Sequence, residues 1–257
     1  MRIYVFSLRK AIAFVTTAAI IVAFVSFTGF AYSNMLAVFS QARELPIYSV
    51  DCTEKKVSIT FDCAWGADDI PQILSILKKE NIKATFFVVG QWAAKFPETV
   101  KAIAGDGHDI ANHSFSHLRM GALDNGRIHD EILKCNTAIS DITGKKVDLF
   151  RAPYGDYNDA VVKEAKRLGC YSIQWDVDSL DWKPGISSKE ILSRINSRVK
   201  KGSIILFHND TPNTAGVLPE VISVLKSKGY EFIPVSKLII KDGYMIDNEG
   251  RQKPVGK

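Results

Sequence analysis

Val57-Ser58-Ile59-Thr60-Phe61-Asp62 sets a β-branched and aromatic run directly before a carboxylate. Four further runs end on an ionisable residue: Ile110-Ala111-Asn112-His113, Leu149-Phe150-Arg151, Gln174-Trp175-Asp176-Val177-Asp178 and Ile205-Leu206-Phe207-His208. Ala84 to Gly90 and Tyr230 to Ile233 complete about seven expected strands, nearly all separated by helical patterns of ten or more residues. Near-continuous apolar strands with helical crossovers indicate an α/β fold with a parallel sheet covered on its outside. A doubly wound open sheet would gather its site at one crevice. Ionisable ends on five strands suit a closed or nearly closed (β/α) barrel, in which carboxyl ends converge on one mouth.

Outward from these runs, the 257-residue chain divides into an anchor and one domain. Residues 1–34 are expected as a cytoplasmic tip and transmembrane anchor. Arg2, Arg9 and Lys10 precede an uncharged stretch from Ala11 to about Ser33. Roughly 20 apolar residues cross a hydrocarbon core about 30 Å thick, more than the roughly 7–15 of a signal peptide. An uncleaved single-pass anchor is therefore favoured over secretion by a cleaved signal. Basic residues on the amino-terminal side place the remainder outside the cell. A juxtamembrane linker (35–54), the catalytic-type domain (55–240) and a polar C-terminal tail (241–257) follow.

The net charge of +5 is spread along the chain and not clustered, so no nucleic-acid partner is expected. It is compatible with anionic cell-wall polymers or lipid surfaces. The four cysteines show no CxxC pair. Cys135 and Cys170 are expected as buried apolar fillers.

His113-Ser114-Phe115-Ser116-His117 places two imidazoles at i and i+4, which a helical turn brings to one face, close enough to share a metal. Imidazole donors suit Zn, Co or Ni better than Mg or Ca. Asp62 is expected as a general base for a metal-bound water, with Arg151 pairing across the mouth to keep it ionised. Pro153 imposes a turn in Arg151-Ala152-Pro153-Tyr154-Gly155, from which a following amide can face a developing oxyanion. His208 is a candidate general acid, which calls for a carboxylate behind it, with Asp178 as the expected partner. Trp182 is expected to wall the site.

On these residues the chain resembles the polysaccharide deacetylases with a NodB homology domain, carbohydrate esterase family 4. The resemblance spans about Val57 to Leu238. Its five motifs are Thr60-Phe61-Asp62, His113 to His117, Arg151-Ala152-Pro153-Tyr154, Asp178-Ser179-Leu180-Asp181-Trp182 and Leu206-Phe207-His208. The resemblance implies a distorted (β/α) barrel and metal-dependent hydrolysis of N-acetyl groups in a polymeric amino sugar. Asp62 would be the base, His113 and His117 ligands of a divalent metal, usually zinc, and His208 the acid tuned by Asp178. Arg151 would orient Asp62, the Tyr154 amide would face the oxyanion, and Leu206 would line the acetyl-methyl pocket.

One departure stands out. The family usually carries a second aspartate, a metal ligand, where this chain has Cys63. A thiolate suits zinc; Asp68 or Asp69 reaching in from the loop, or a lost metal site in a glycan-binding pseudoenzyme, are the alternatives. Phe-Asp-x-Ala-Trp-Gly after the first strand, together with one anchor, is similar to the PdaB-like group linked to sporulation, which implies peptidoglycan or a related cell-wall glycan as partner.

Overall fold

The computed structural model describes residues 8–39 and 43–255. Arg2 and the rest of residues 1–7, linker residues 40–42, and Gly256 and Lys257 lie outside the described residues. The chain forms two units, residues 1–43 and 44–257. The first contains helix α1 (Leu8–Phe39). Within it, Ile12–Gly29 is long and apolar enough to cross a membrane, properties that an anchor and a signal sequence share. Thr16, Thr17 and Thr28 donate their hydroxyls to the carbonyls of Ile12, Ala13 and Phe24 at 3.0, 2.8 and 3.0 Å. These polar groups are thus satisfied inside the helix, as an apolar environment requires.

The second unit opens with β1 (Ser49–Val50) and alternates thereafter: β2 (Lys56–Cys63), α2 (Ile70–Lys79), β3 (Thr85–Val88), α3 (Gly90–Lys95), α4 (Pro97–Gly105), β4 (Asp109–Asn112) and α5 (Asn125–Thr143). Next come β5 (Leu149–Phe150), α6 (Asp159–Arg167), β6 (Tyr171–Ser172), β7 (Val177–Asp178), α7 (Ser188–Arg198), β8 (Ile204–His208), α8 (Thr214–Ser227), β9 (Glu231–Phe232) and α9 (Val235–Leu238). Local chemistry sets the helix starts. Asp124 accepts from the Arg127 amide at the head of α5, Asn158 from Val161 at α6, and Ser187 and Glu190 form a capping box at α7.

The main sheet runs β6-β5-β4-β3-β2-β8-β7, with β9 also on β2, and every pair is parallel. From β2 to β6, and again from β7 to β8, each strand neighbours its sequence successor, and β2 pairs with β8. That is barrel winding with a break between β6 and β7, so the fold is a curled, incomplete (β/α) barrel and not a doubly wound sheet. The pleat divides β2 in two. Ile59, Phe61 and Cys63 join the helix-side core, where the Phe61 ring lies 4.9 Å from Phe86 and 5.9 Å from Phe207. Thr60 and Asp62 face the interior with Arg151.

Three expectations are corrected. The fifth expected strand is two short ones, because Asp176 between them turns its carboxylate to the Ile204 amide and the Ser203 hydroxyl (both 2.9 Å). The linker ends early: Ile47 and Val50 are buried, so the chain is part of the domain from Glu44 onward. Nor is the C-terminus a simple polar tail. β10 (Tyr244–Ile246) and β11 (Arg251–Pro254) form an antiparallel pair, and β11 holds β1 in parallel register. Gly202 passes beneath this strap at φ 77°, where a Cβ would overlap the Val50 carbonyl oxygen.

Candidate active site at the carboxyl ends of the strands

The β2–β8 register sets Asp62 directly beside His208. Two candidate proton-transfer groups thus share one level of the mouth. Arg151 follows β5 and is fully buried. Its Nη1 donates to Asp62 Oδ1 at 2.6 Å and to the Thr60 hydroxyl at 2.9 Å, and its Nη2 donates to the Gln174 carbonyl at 3.0 Å. The guanidinium lies 3.9 Å from the Phe87 ring centroid. Burial works against the charge of Asp62, but Arg151, His113 and His208 together keep its pKa below the ordinary carboxylate range.

His113 and His117 do not lie on a helical turn. The segment after β4 reverses through Ser114 and His117 at φ 62° and 57°, yet brings the two rings to a centroid distance of 5.1 Å. His113 Nδ1 donates to the Arg151 carbonyl (2.9 Å), and His117 Nδ1 pairs with the Tyr154 hydroxyl (3.1 Å). Burial lowers the pKa of both, that of His117 to about 4, so both imidazoles are neutral at pH 7.

His208 Nδ1 donates to Asp181 Oδ1 at 2.8 Å, and Asp181 Oδ2 accepts from the His208 amide (2.7 Å) and the Thr214 hydroxyl (2.5 Å). This corrects the expectation for Asp178. Its carboxylate accepts instead from the Leu180 amide at 2.8 Å, and Leu180, at φ 59°, turns the chain so that Asp181 reaches the histidine. Burial would lower the pKa of His208, but the Asp181 bond and charge, aided by Asp62 and Asp178, hold it above its ordinary value. Burial raises Asp178 itself, against the Leu180 bond.

Leu206 is buried one pleat below His208 on the same face of β8. Tyr154 sits at φ 60° in the turn after Pro153. Trp182 is 55 % exposed, as Tyr154 (56 %) and Trp65 (67 %) are. Trp65 meets His117 edge-on at 5.9 Å, and Arg119 lies 4.8 Å over the Tyr154 ring. Sequence reasoning left Trp65, Asp181, Thr60, Asn112 and Glu131 without roles.

Two observations bear on a metal. His113 Nε2, a lone pair in the neutral ring, faces Asp62 Oδ2 at 3.5 Å with no hydrogen to share. Electron-rich atoms converging this way fit a cation, and the anchored Nδ1 atoms leave two Nε2 donors. Among the described residues no third protein ligand joins these two imidazoles. Cys63 lies on the helix side of β2 in the apolar core, where burial, with the charges of Asp62 and Asp69, pushes its thiol well up. Asp69 accepts from the Asp210 amide, and Asp68 is exposed. Among the described residues no group of three His, Cys, Asp or Glu side chains converges to hold a metal ion.

The polysaccharide deacetylase family matches residues 49–173. The chain is 36 % identical over 195 residues to the uncharacterized protein YlxY of Bacillus subtilis (76 % of this chain, 60 % of that protein). It is 34 % identical over 198 residues to a peptidoglycan-N-acetylglucosamine deacetylase of Bacillus cereus (75 % and 92 %). Among solved structures, BA3943 of Bacillus anthracis, described as a CE4 family pseudoenzyme, superimposes with TM-score 0.73 at 36 % identity (75 % and 68 % covered). The chain spans less than two thirds of YlxY, and 39 % of the similar Listeria monocytogenes deacetylase PgdA. The barrel with its break, the Asp62–Arg151 pair beside His208–Asp181, and these likenesses lead to one conclusion: the chain belongs to the polysaccharide deacetylase family.

Proposed function

We propose that the domain removes N-acetyl groups from a cell-wall glycan of the peptidoglycan type, held outside the cell by α1 as a single-pass anchor. The observation that carries this reading is the placement of Asp62, ion-paired with Arg151, beside His208, bonded to Asp181 and raised above its ordinary pKa, at one register of adjacent strands. Asp62 takes a proton from the attacking water as its oxygen adds to the acetyl carbon. His208 gives its Nε2 proton to the nitrogen as the carbon–nitrogen bond breaks, which leaves acetate and a free amine. Asp181 fixes the histidine tautomer, and Arg151 fixes the carboxylate. The Tyr154 amide is the candidate donor to the oxyanion and Leu206 the floor under the acetyl methyl. Trp65, Tyr154 and Trp182 present exposed rings on which sugar faces stack. His113 and His117 would hold a divalent metal, zinc or else cobalt or nickel, which supplies Lewis-acid activation of water and carbonyl. The Phe61-Asp62-Cys63-Ala64-Trp65-Gly66 pattern supports placing this activity at the spore envelope.

A second reading has its own observation. With Cys63 buried on the far face of β2, the cation is one protein ligand short, and a domain that keeps the aromatic mouth without turnover is a glycan-binding pseudoenzyme. Mass spectrometry of N-acetylated peptidoglycan fragments incubated with the protein and zinc separates the two. Fragments that lose acetyl support the enzyme; fragments that bind but keep every acetyl support the pseudoenzyme.

A further inference from the structure

Glu131 lies on α5, away from the catalytic pair, with 5 % of its surface exposed. It takes part in none of the ion pairs among the described residues. An isolated buried carboxylate is costly unless hydrogen bonds compensate it. Its Oε2 accepts from the amides of Phe115 and Ser116 at 3.0 and 2.7 Å. These are two of the peptide groups that join His113 to His117.

Side chains accept all four amides from Ser114 to His117. The Ser114 amide donates to Asn112 Oδ1 (2.7 Å) and the His117 amide to the Ser114 hydroxyl (3.0 Å). Asn112 in turn donates to the Ile132 carbonyl and Asn136 Oδ1 on α5, at 2.8 and 2.7 Å. From the other side, the amides of Gly90 and Gln91 donate to the Ser114 and Phe115 carbonyls at 2.9 and 3.0 Å. No ladder of backbone bonds fixes amides 114 to 117, and two of the residues sit at positive φ, a region that side-chain-bearing residues adopt only when surroundings demand it. A carboxylate gives the strongest acceptor for two N–H groups at once.

We propose that Glu131 is the positioning residue of the histidine pair: its carboxylate holds the 113–117 turn in the conformation that directs both imidazoles at one point. This rests on the reading of His113 and His117 as cation ligands. Glu131 touches neither the substrate site nor the imidazoles and acts through the backbone between them.

The test uses the full chain in detergent, with E131A, E131Q and E131D. Two readouts are taken: Co2+ affinity with its absorption spectrum, and amide hydrogen exchange of residues 114–117 in metal-free protein. Loss of a residue that orients metal ligands weakens affinity roughly 10–100-fold. The expected result is at least tenfold weaker Co2+ binding and an altered spectrum for E131A, with faster exchange confined to the turn and a cooperative melt retained. E131Q keeps an acceptor of the same reach and recovers most of the affinity. E131D keeps the charge but falls one methylene short, and it is expected to resemble E131A, which secures the test should E131A fail to fold. A folded E131A or E131D that binds Co2+ as the wild type does, with unchanged exchange in the turn, overturns the proposal. A wild type that binds no Co2+ overturns the cation reading instead, and the exchange data alone then decide the role of Glu131.

Discussion

Replacing Asp181 with Asn separates the roles of the two aspartates in Asp178-Ser179-Leu180-Asp181. The substitution keeps shape and removes the charge that meets His208 Nδ1 at 2.8 Å. A hydrogen bond to a charged group contributes about 1.5–3 kcal/mol. At 1.36 kcal/mol per pH unit, its loss lowers the pKa of His208 by roughly 1–2 units. Burial, which already favours the neutral ring, then acts unopposed by its main partner. The alkaline limb of the pH–rate profile for acetate release should move down by that amount, and an NMR titration of the His208 ring should move with it. Asp178→Asn should shift both less, because its carboxylate is engaged with the Leu180 amide. Stability carries the same sign. A histidine whose pKa is raised on folding contributes stability that is full below the unfolded value of about 6.5 and lost as pH rises through the folded value. The wild type's advantage over D181N should therefore shrink on going alkaline. An unmoved His208 titration in folded D181N, or a larger shift in D178N, refutes the assignment.

Arg151→Leu leaves Asp62 buried without its cation and should cost about 3–5 kcal/mol in a chemical-denaturation experiment. Adding Asp62→Asn should restore part of that, and an R151L protein as stable as the wild type would contradict the ion pair. Cys63→Ala should cost about 1 kcal/mol through a small core cavity. It should leave Co2+ binding and its spectrum unchanged, whereas a lost sulfur-to-cobalt band would show that the thiolate is a ligand after all.

Much of the barrel is legible in the sequence because five of the expected strands are apolar runs that close on an ionisable residue. The period-2 alternation of β2 also held an unused signal. If Asp62 faces the interior, Cys63 faces the helices, and the apolar cluster around its thiol bears this out. The choice between Asp178 and Asp181 was not legible, since it depends on a left-handed Leu180 that sequence does not advertise. The proximity of His113 and His117 was expected on the wrong backbone: a side-chain-held turn, not a helix, brings them together. No motif singles out Glu131, although it shares its face with Ile128, Ile132 and Cys135 at helical spacing. Tyr244–Ile246 and Arg251–Pro254 read as tail in the sequence because the strand that ties their hairpin to the domain, Ser49–Val50 beside Arg251–Pro254, lies some 200 residues away, where no local pattern reaches.

Acetate release from N-acetylated peptidoglycan fragments, measured for the wild type and for Asp62→Asn across added zinc, cobalt and nickel, tests the central claim most directly. Catalysis by the Asp62–His208 mouth predicts acetate and free amine in equal amounts from the wild type with at least one metal, and a rate in D62N reduced to background. A wild-type rate no greater than that of D62N with all three metals contradicts it.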